Sequence, residues 1–161
     1  FVLIYTSSTI FGISSDYALA MSRLFGLLIF FNLILHSQQK FEKLSIGVLS
    51  RSESCSEKSK SGDKLTVHYK GMLTDGSVFD TSYTRNSPFD FEIGQGNVIQ
   101  GWERGLLNMC AGEKRKLKIP SELGYGSKGA GDGIPPNSDL IFEVHLLAIN
   151  GKKEENKHFE I

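Results

Sequence analysis

The chain has 161 residues, with 18 Lys and Arg against 18 Asp and Glu, and its formal net charge is +0. This balance argues against a nucleic-acid partner, because proteins that bind nucleic acid carry a basic excess or stripe. The 17 glycines and 11 phenylalanines favour turns and aromatic-packed strands over a helical bundle. Two cysteines are too few for a disulfide scaffold, but they suffice for one bridge.

The first 39 residues have the pattern of targeting sequence rather than of fold. Residues 1–20 have no basic start, and we interpret them as non-native upstream sequence; a buried strand or helix over their apolar beginning is the alternative. Residues 21–39 begin with Met21, continue through Arg23 into an apolar run and end in polar residues, which is typical of a signal peptide. The run, residues 24–35, has about a dozen residues, short of the roughly 20 of a membrane span. We therefore expect no stable membrane insertion, with an uncleaved N-terminal anchor as the alternative.

The segments that follow alternate apolar and polar residues, as half-buried strands do. In the second of them Leu65, Val67 and Tyr69 share one face, and Asp75-Gly76 then supplies the turn of a hairpin. The pattern predicts strands over 43–51, 64–73, 77–80, 88–94, 113–120 and 139–149.

Residues 97–110 alone have helical periodicity. Asn97 is the predicted N-cap, and the apolar face predicted for this helix contains Val98, Trp102, Leu106 and Met109. Gly101 and Gly105 would let such a helix lie close to a sheet. The expected fold is α+β: a five- to six-stranded antiparallel sheet wrapped on one short helix. About 110 residues, 40–151, would form this single domain.

The C-terminal segment, residues 152–161, is highly charged and is predicted to be a solvated tail. Its last four residues, His158 to Ile161, are similar to the His-Asp-Glu-Leu class of retention signals of the endoplasmic reticulum. An ordinary charged tail is the alternative. In an oxidising lumen Cys55 and Cys110 would close a loop of about 55 residues, worth roughly 4 kcal/mol of stability; two separate buried thiols remain the alternative.

Sequence motifs for cofactor or nucleophile chemistry are not supported. Gly94-Gln95-Gly96 begins a dinucleotide fingerprint, but Ile99 occupies the place of its last glycine and no parallel βαβ unit surrounds it. The four histidines are scattered, and no nucleophile elbow is present. The sequence therefore predicts neither a metal site nor a cofactor.

A set of aromatic residues from different segments lies next to turns and glycines. Core filling explains any one of them, but the group includes tyrosine and tryptophan, whose polar atoms need partners when buried. An apolar concavity with a few polar groups fits this inventory. Its candidate residues are Tyr69, Phe79, Phe89, Trp102, Tyr125 and Phe142, interspersed with Val98, Ile99 and Ile134.

Four long motifs give these residues a context: "VHYKGMLTDGSVFDTS", "NSPFDFEIGQGNVIQGWERGL", "GEKRKLKIPSELGYG" and "IPPNSDLIFEVHLL". Over residues 43–150 the chain closely resembles the FK506-binding-protein family of peptidyl-prolyl cis–trans isomerases. The resemblance implies a strongly twisted antiparallel sheet packed on a short helix, with the pocket between them. Cys55 and Cys110 match the cysteine pair of the family's secretory branch, which implies the lumen of the endoplasmic reticulum as the location.

The resemblance also implies roles for individual residues. Those expected to act on the bond are Tyr69, Phe79, Asp80, Trp102, Tyr125 and Phe142. Those expected to bind substrate or inhibitor are Arg85, Phe89, Val98, Ile99 and Ile134. Ala130 and Gly133 depart from the family by being smaller than the residues of many members, so a softer and shallower loop is expected there.

The implied activity is isomerisation of X–Pro bonds in folding secretory proteins. Its expected partners are proline-containing polypeptides and macrolides such as FK506 and rapamycin, and the chain is expected to be a monomer. No cofactor is expected, since rotation breaks no bond. A non-catalytic proline-peptide module or holdase that uses the same pocket is the alternative. For Asp80 and Arg85, an ordinary surface ion pair is the alternative to a role in the site.

Overall fold

The structure, a computed structural model, describes residues 40–153. The predictions for residues 1–20, for the signal peptide and for the C-terminal tetrapeptide fall outside the described residues. The described part contains two short 3₁₀ helices, Ser121–Leu123 and Gly126–Lys128, besides its strands and its one α-helix. In chain order these are β1 (Ser45–Ser50), β2 (Lys64–Leu73), β3 (Val78–Thr81), β4 (Phe89–Glu92), α1 (Gln100–Gly105), β5 (Lys114–Ile119) and β6 (Leu140–Ile149).

The six strands form one antiparallel sheet, which confirms the predicted class of fold. Their order is β1-β5-β6-β2-β3, and β4 also pairs with β2. The beginning of β2 pairs with β4, from Lys64 opposite Glu92 onward, and its end pairs with β3, from Lys70 opposite Thr81 onward. The two short strands therefore share one edge of β2. Gly76 forms the predicted turn between β2 and β3 with a φ of 89°.

The hydrophobic core lies between one face of this sheet and α1. The alternating residues of β2 and β6 point into it as predicted; Leu65, Val67, Leu140 and Leu146 are fully buried. Because the apolar residues repeat with the period of the strand, one face of the sheet is buried, whereas most residues of β2 and β6 on the other face are half-buried.

Two glycines set the distance between α1 and β5. A Cβ atom on Gly101 would lie 2.5 Å from Cγ2 of Ile119, and one on Gly105 would lie 2.8 Å from Cδ1 of Leu117. Any larger residue would push the helix off the strand. The predicted close approach is confirmed.

Strand β1 is correctly predicted as a strand but not as a half-buried one. All six of its residues are exposed, including Ile46 at 46% and Val48 at 42%. Among residues 40–153 it is an edge strand, paired with β5 alone, while α1 lies against Leu117 and Ile119 of β5. The helix thus leaves the outermost strand uncovered.

The helix is shorter than the predicted range 97–110. It occupies Gln100–Gly105, and Ile99 is its N-cap residue without a side-chain hydrogen bond, so the prediction of Asn97 as N-cap is wrong. Beyond its end, Asn108 has a φ of 55°, outside the helical region. The carbonyls that a longer helix would use internally accept hydrogen bonds from distant residues instead.

Cys55 and Cys110 form a disulfide with a Cα–Cα distance of 5.4 Å. The predicted bridge is confirmed, and the alternative of two separate thiols is wrong. The bridge ties the segment before β2 to the segment that follows α1. Within residues 40–153, no helix has the length and apolar character needed to cross a membrane.

Candidate active site

A cavity of about 390 Å³ opens between the sheet and α1. Its walls combine aromatic and aliphatic side chains with a few polar groups at the rim, which suits a ligand that is mostly apolar. The lining residues are Tyr69, Phe79, Asp80, Phe89, Asn97, Val98, Ile99, Trp102, Tyr125 and Phe142.

Trp102 forms the floor of the cavity and is only 4% exposed. Its ring meets Tyr69 and Phe142 edge to face, with centroid distances of 5.4 and 5.2 Å. Aromatic pairs favour this geometry, so the three rings fix one another. The indole N–H finds no hydrogen-bond partner among the described residues. The fit of Gly101 against Ile119 sets the height of this floor.

Gly71 makes room for two walls of the cavity. A Cβ atom at this position would lie 2.6 Å from ring atoms of Phe79 and 2.8 Å from Cε1 of Phe142. The two rings meet edge to face at a centroid distance of 5.5 Å. Gly71 was not among the predicted site residues, although a glycine inside an otherwise alternating strand is a signal of close approach.

Tyr69, Asp80 and Arg85 form a hydrogen-bonded group at the rim. The Tyr69 hydroxyl donates to Oδ2 of Asp80, Nη1 of Arg85 donates to Oδ1 of Asp80 at 2.5 Å, and Nη2 of Arg85 donates to the Tyr69 hydroxyl at 2.9 Å. The guanidinium also lies 5.9 Å from the centre of the Tyr69 ring. Arg85 thus reaches the site through two lining residues and is not itself among them.

The electrostatics of this group keep Asp80 ionised. Burial acts to raise the pKa of Asp80, but the hydrogen bonds from Tyr69 and Arg85 and the Arg85 charge outweigh it, so the pKa lies below its ordinary 3.8. Burial, followed by the bond to Asp80, raises the pKa of the Tyr69 hydroxyl above 10.0. At neutral pH the rim therefore presents a carboxylate that accepts from a neutral phenol.

Tyr125 also lines the cavity, and the residue is 39% exposed. Burial, and then the negative charge of Asp80, raises its pKa above 10.0 and keeps it a hydrogen-bond donor. The loop after it is closed by Ala130 and Ile134, whose amides and carbonyls pair at 2.9 and 3.1 Å. Ile134 itself is buried in the core and is not among the lining residues.

Asn97 lines the cavity. It was not among the predicted site residues, because the helical pattern indicated a cap at this position. The loop around it is held by Glu103 of α1, whose carboxylate accepts from the amides of Gly94 and Gly96. These glycines have φ values of 89° and 73°, which glycine adopts readily and other residues rarely do. The chain thus turns from β4 into the helix that carries Trp102.

Comparison with known proteins agrees with this architecture. Residues 55–147 match the family described as FKBP-type peptidyl-prolyl cis-trans isomerase. The chain is 59% identical to "FK506-binding protein 2" of Dictyostelium discoideum over 109 residues, which are 68% of this chain and 82% of that protein. It is 55% identical to human "Peptidyl-prolyl cis-trans isomerase FKBP2" over 112 residues, 70% of this chain and 79% of that protein.

A solved structure gives the same result for the fold. The crystal structure of AtFKBP13 superposes with a TM-score of 0.60 at 36% sequence identity and covers 65% of this chain and 91% of that one. The chain belongs to the FKBP-type peptidyl-prolyl cis-trans isomerases, a family of enzymes.

Proposed function

We propose that the cavity binds a proline of an unfolded polypeptide on Trp102 and accelerates rotation of the preceding peptide bond. The observation that carries this proposal is the buried indole floor beneath a cavity of about 390 Å³ walled by aromatic rings. A pyrrolidine ring is compact and apolar, so such a floor and walls suit it. The backbone on both sides of the proline would pass over the polar rim.

The site has only to lower the barrier to rotation about a peptide bond, since no covalent bond is broken. Amide resonance gives the peptide bond a rotation barrier of about 18–20 kcal/mol. At the twisted transition state that resonance is lost and the carbonyl becomes less polar. Water stabilises the planar, polar amide, whereas an apolar cavity favours the twisted state relative to it. Each 1.4 kcal/mol of such preference gives about a tenfold acceleration.

The rim supplies the groups that orient the substrate. The Tyr125 hydroxyl and the N–H of Ile99 would donate hydrogen bonds to substrate carbonyls; Ile99 precedes α1, where amides have no carbonyl partner within the helix. Asp80 holds the Tyr69 ring against Trp102 and lies at the edge that the twisted amide would face. Arg85 holds Asp80 in turn. Phe79, Phe89, Val98 and Phe142 act as walls.

A protease-coupled assay on a proline peptide tests these roles. Phe79→Tyr adds a hydroxyl to an apolar wall, and Asp80→Val breaks the rim group; both should lower kcat/KM. The matched control is Val78→Thr, because Val78 lies next to Phe79 in β3 but is exposed and outside the lining. Wild-type turnover in both site variants would show that the mechanism is wrong.

We further propose that the protein acts on clients in the lumen of the endoplasmic reticulum. The predicted signal peptide and the tail similar to a retention signal support this location, and the disulfide between Cys55 and Cys110 fits an oxidising compartment. Partitioning of the tagged protein between cell lysate and medium tests it. Retention that survives deletion of residues 158–161 would contradict the role of the tetrapeptide.

FK506 and rapamycin are proposed ligands of the same cavity. The name of the Dictyostelium relative, "FK506-binding protein 2", states that it binds FK506. The cavity of this chain offers an apolar floor with hydrogen-bonding groups at its rim. Trp102 is the single tryptophan of the chain, so its fluorescence reports binding directly. No change in its emission at saturating macrolide would contradict this assignment.

A further inference from the structure

The helix that carries Trp102 ends in an unusual way. It has six residues, and isolated helices shorter than about 12–15 residues are marginal in water. Its last carbonyls also lack partners within the helix. Something outside the helix must hold it in place, since the position of Trp102 depends on it.

Two residues distant in sequence donate hydrogen bonds to the carbonyls of the last residue of α1 and of the three residues after it. Arg115 of β5 donates from Nη1 to the carbonyls of Gly105 and Leu107, at 2.9 and 2.8 Å, and from Nη2 to that of Asn108 at 2.8 Å. The hydroxyl of Ser59 donates to the remaining carbonyl, that of Leu106, at 2.6 Å. Every carbonyl from 105 to 108 therefore has a side-chain donor.

Glu113 fixes the guanidinium in this position. Its Oε1 accepts from Nε of Arg115 at 2.7 Å, and its Oε2 accepts from the amide of Cys110 at 3.2 Å. The Arg115 and Glu113 side chains are only 9% and 5% exposed. A buried cation at the C-terminal end of a helix also opposes the negative end of the helix dipole. Neither side chain touches the cavity.

We infer that Arg115, held by Glu113, is a positioning residue for Trp102. It fixes the end of α1 to β5, the strand on which Gly101 and Gly105 also rest, and so sets the height of the indole beneath Tyr69 and Phe142. The inference deepens the proposed function and rests on it. A planar guanidinium can bridge three carbonyls, whereas the single ammonium of lysine cannot hold the same fork of hydrogen bonds.

The test compares Arg115→Lys with a variant that is destabilised elsewhere. Ile149→Val removes a buried methyl group seven residues from Phe142 along β6, roughly 23 Å away in an extended strand. Both are made in the full, disulfide-bonded chain. The measurements are kcat/KM on a proline peptide, acrylamide quenching of Trp102 fluorescence, and Tm.

Arg115→Lys should lower kcat/KM about tenfold or more, since small misplacements of a site group have effects of this size, and should increase the quenching of Trp102. Ile149→Val should keep both at wild-type values although its Tm falls. If Arg115→Lys retains wild-type quenching, or if Ile149→Val changes it equally, the inference is overturned.

Glu113→Gln decides the question if Arg115→Lys does not fold. It removes the negative charge while leaving the guanidinium and an acceptor in place, and the same criteria apply to it. A wild-type protein without turnover would contradict the proposed function alone, because the quenching comparison would still test whether Arg115 positions Trp102.

Discussion

Substituting Gly101 by alanine has two opposing effects on stability: a gain in helix propensity and a steric clash with Ile119. In an exposed helix interior the change stabilises by about 1 kcal/mol. Here the new Cβ would meet Cγ2, Cδ1 and Cγ1 of Ile119 at 2.5, 2.6 and 2.9 Å. Ile119 is fully buried, so it has little room to move. Overpacking of this kind costs about 1–3 kcal/mol.

We expect the steric clash to exceed the gain in helix propensity, with a net loss of up to about 2 kcal/mol in the free energy of unfolding. For a domain of about 110 residues, each kcal/mol lowers Tm by roughly 4 °C. Since α1 carries Trp102, kcat/KM should fall as well. Gln100→Ala, at an exposed position of the same helix, is the control and should change stability by less than about 0.5 kcal/mol.

A double-mutant cycle with Ile119→Ala isolates the contact. That substitution removes all three of the atoms that the new methyl group meets, and alone it should destabilise by about 2–5 kcal/mol. Combined with Gly101→Ala, the loss should be smaller than the sum by at least about 1 kcal/mol. Urea unfolding measures each variant. A stabilising Gly101→Ala, or an interaction energy near zero, would refute the claim that the helix rests on Ile119.

Three further predictions concern protons and the disulfide. Hydrogen bonds hold the pKa of Asp80 below 3.8. The stabilisation that its carboxylate gives the folded protein is therefore complete above that pH, and it is lost only as the pH falls through the lower pKa of the folded state. We therefore expect kcat/KM to be constant from about pH 5 to 8, and a midpoint inside that range would count against an ionised Asp80. Burial, then the charges of Lys114 and His68, lower the pKa of His145 below 6.5. As the pH falls, the unfolded chain binds this proton before the folded protein does, so the free energy of unfolding should decrease below about pH 6.5. His145→Gln should therefore weaken the pH dependence of the urea midpoint between pH 5 and 7. An unchanged pH dependence in this variant would contradict the prediction. Reduction of the disulfide, which closes a loop of 55 residues, should lower the free energy of unfolding by about 4 kcal/mol, measured by urea unfolding with and without reductant. A Cys55→Ser variant should not respond to the reductant, and equal stability of the reduced and oxidised wild type would contradict the expectation.

The strands were predictable because one face of the sheet is buried, and burial imposes an alternation that the sequence shows directly. The alternation does not indicate where a strand lies in the order of the sheet. Ile46 and Val48 of β1 alternate like the residues of a central strand, yet β1 lies at an edge that α1 does not cover. Order in the sheet depends on long-range pairing, which no local window shows.

The end of the helix was not predictable for a similar reason. The apolar stripe continues to Met109, but the carbonyls beyond Gly105 are bound by Ser59 and Arg115, which are distant in sequence. An arginine at an inward position of a strand was the one available signal. Most of the cavity lining was predicted from the set of aromatic residues beside turns and glycines, and Asp80 came from the resemblance to a family. Asn97 was missed because its position also suits a helix cap.

Exchange spectroscopy by NMR on a proline-containing peptide tests the central claim most directly. The uncatalysed interconversion takes tens to hundreds of seconds, so exchange cross-peaks between cis and trans resonances are absent from the free peptide. With a small fraction of the protein added, we expect such cross-peaks, with a rate proportional to protein concentration and abolished by FK506. Peptide resonances that shift on binding without cis–trans exchange cross-peaks would show that the site binds proline but does not catalyse its isomerisation.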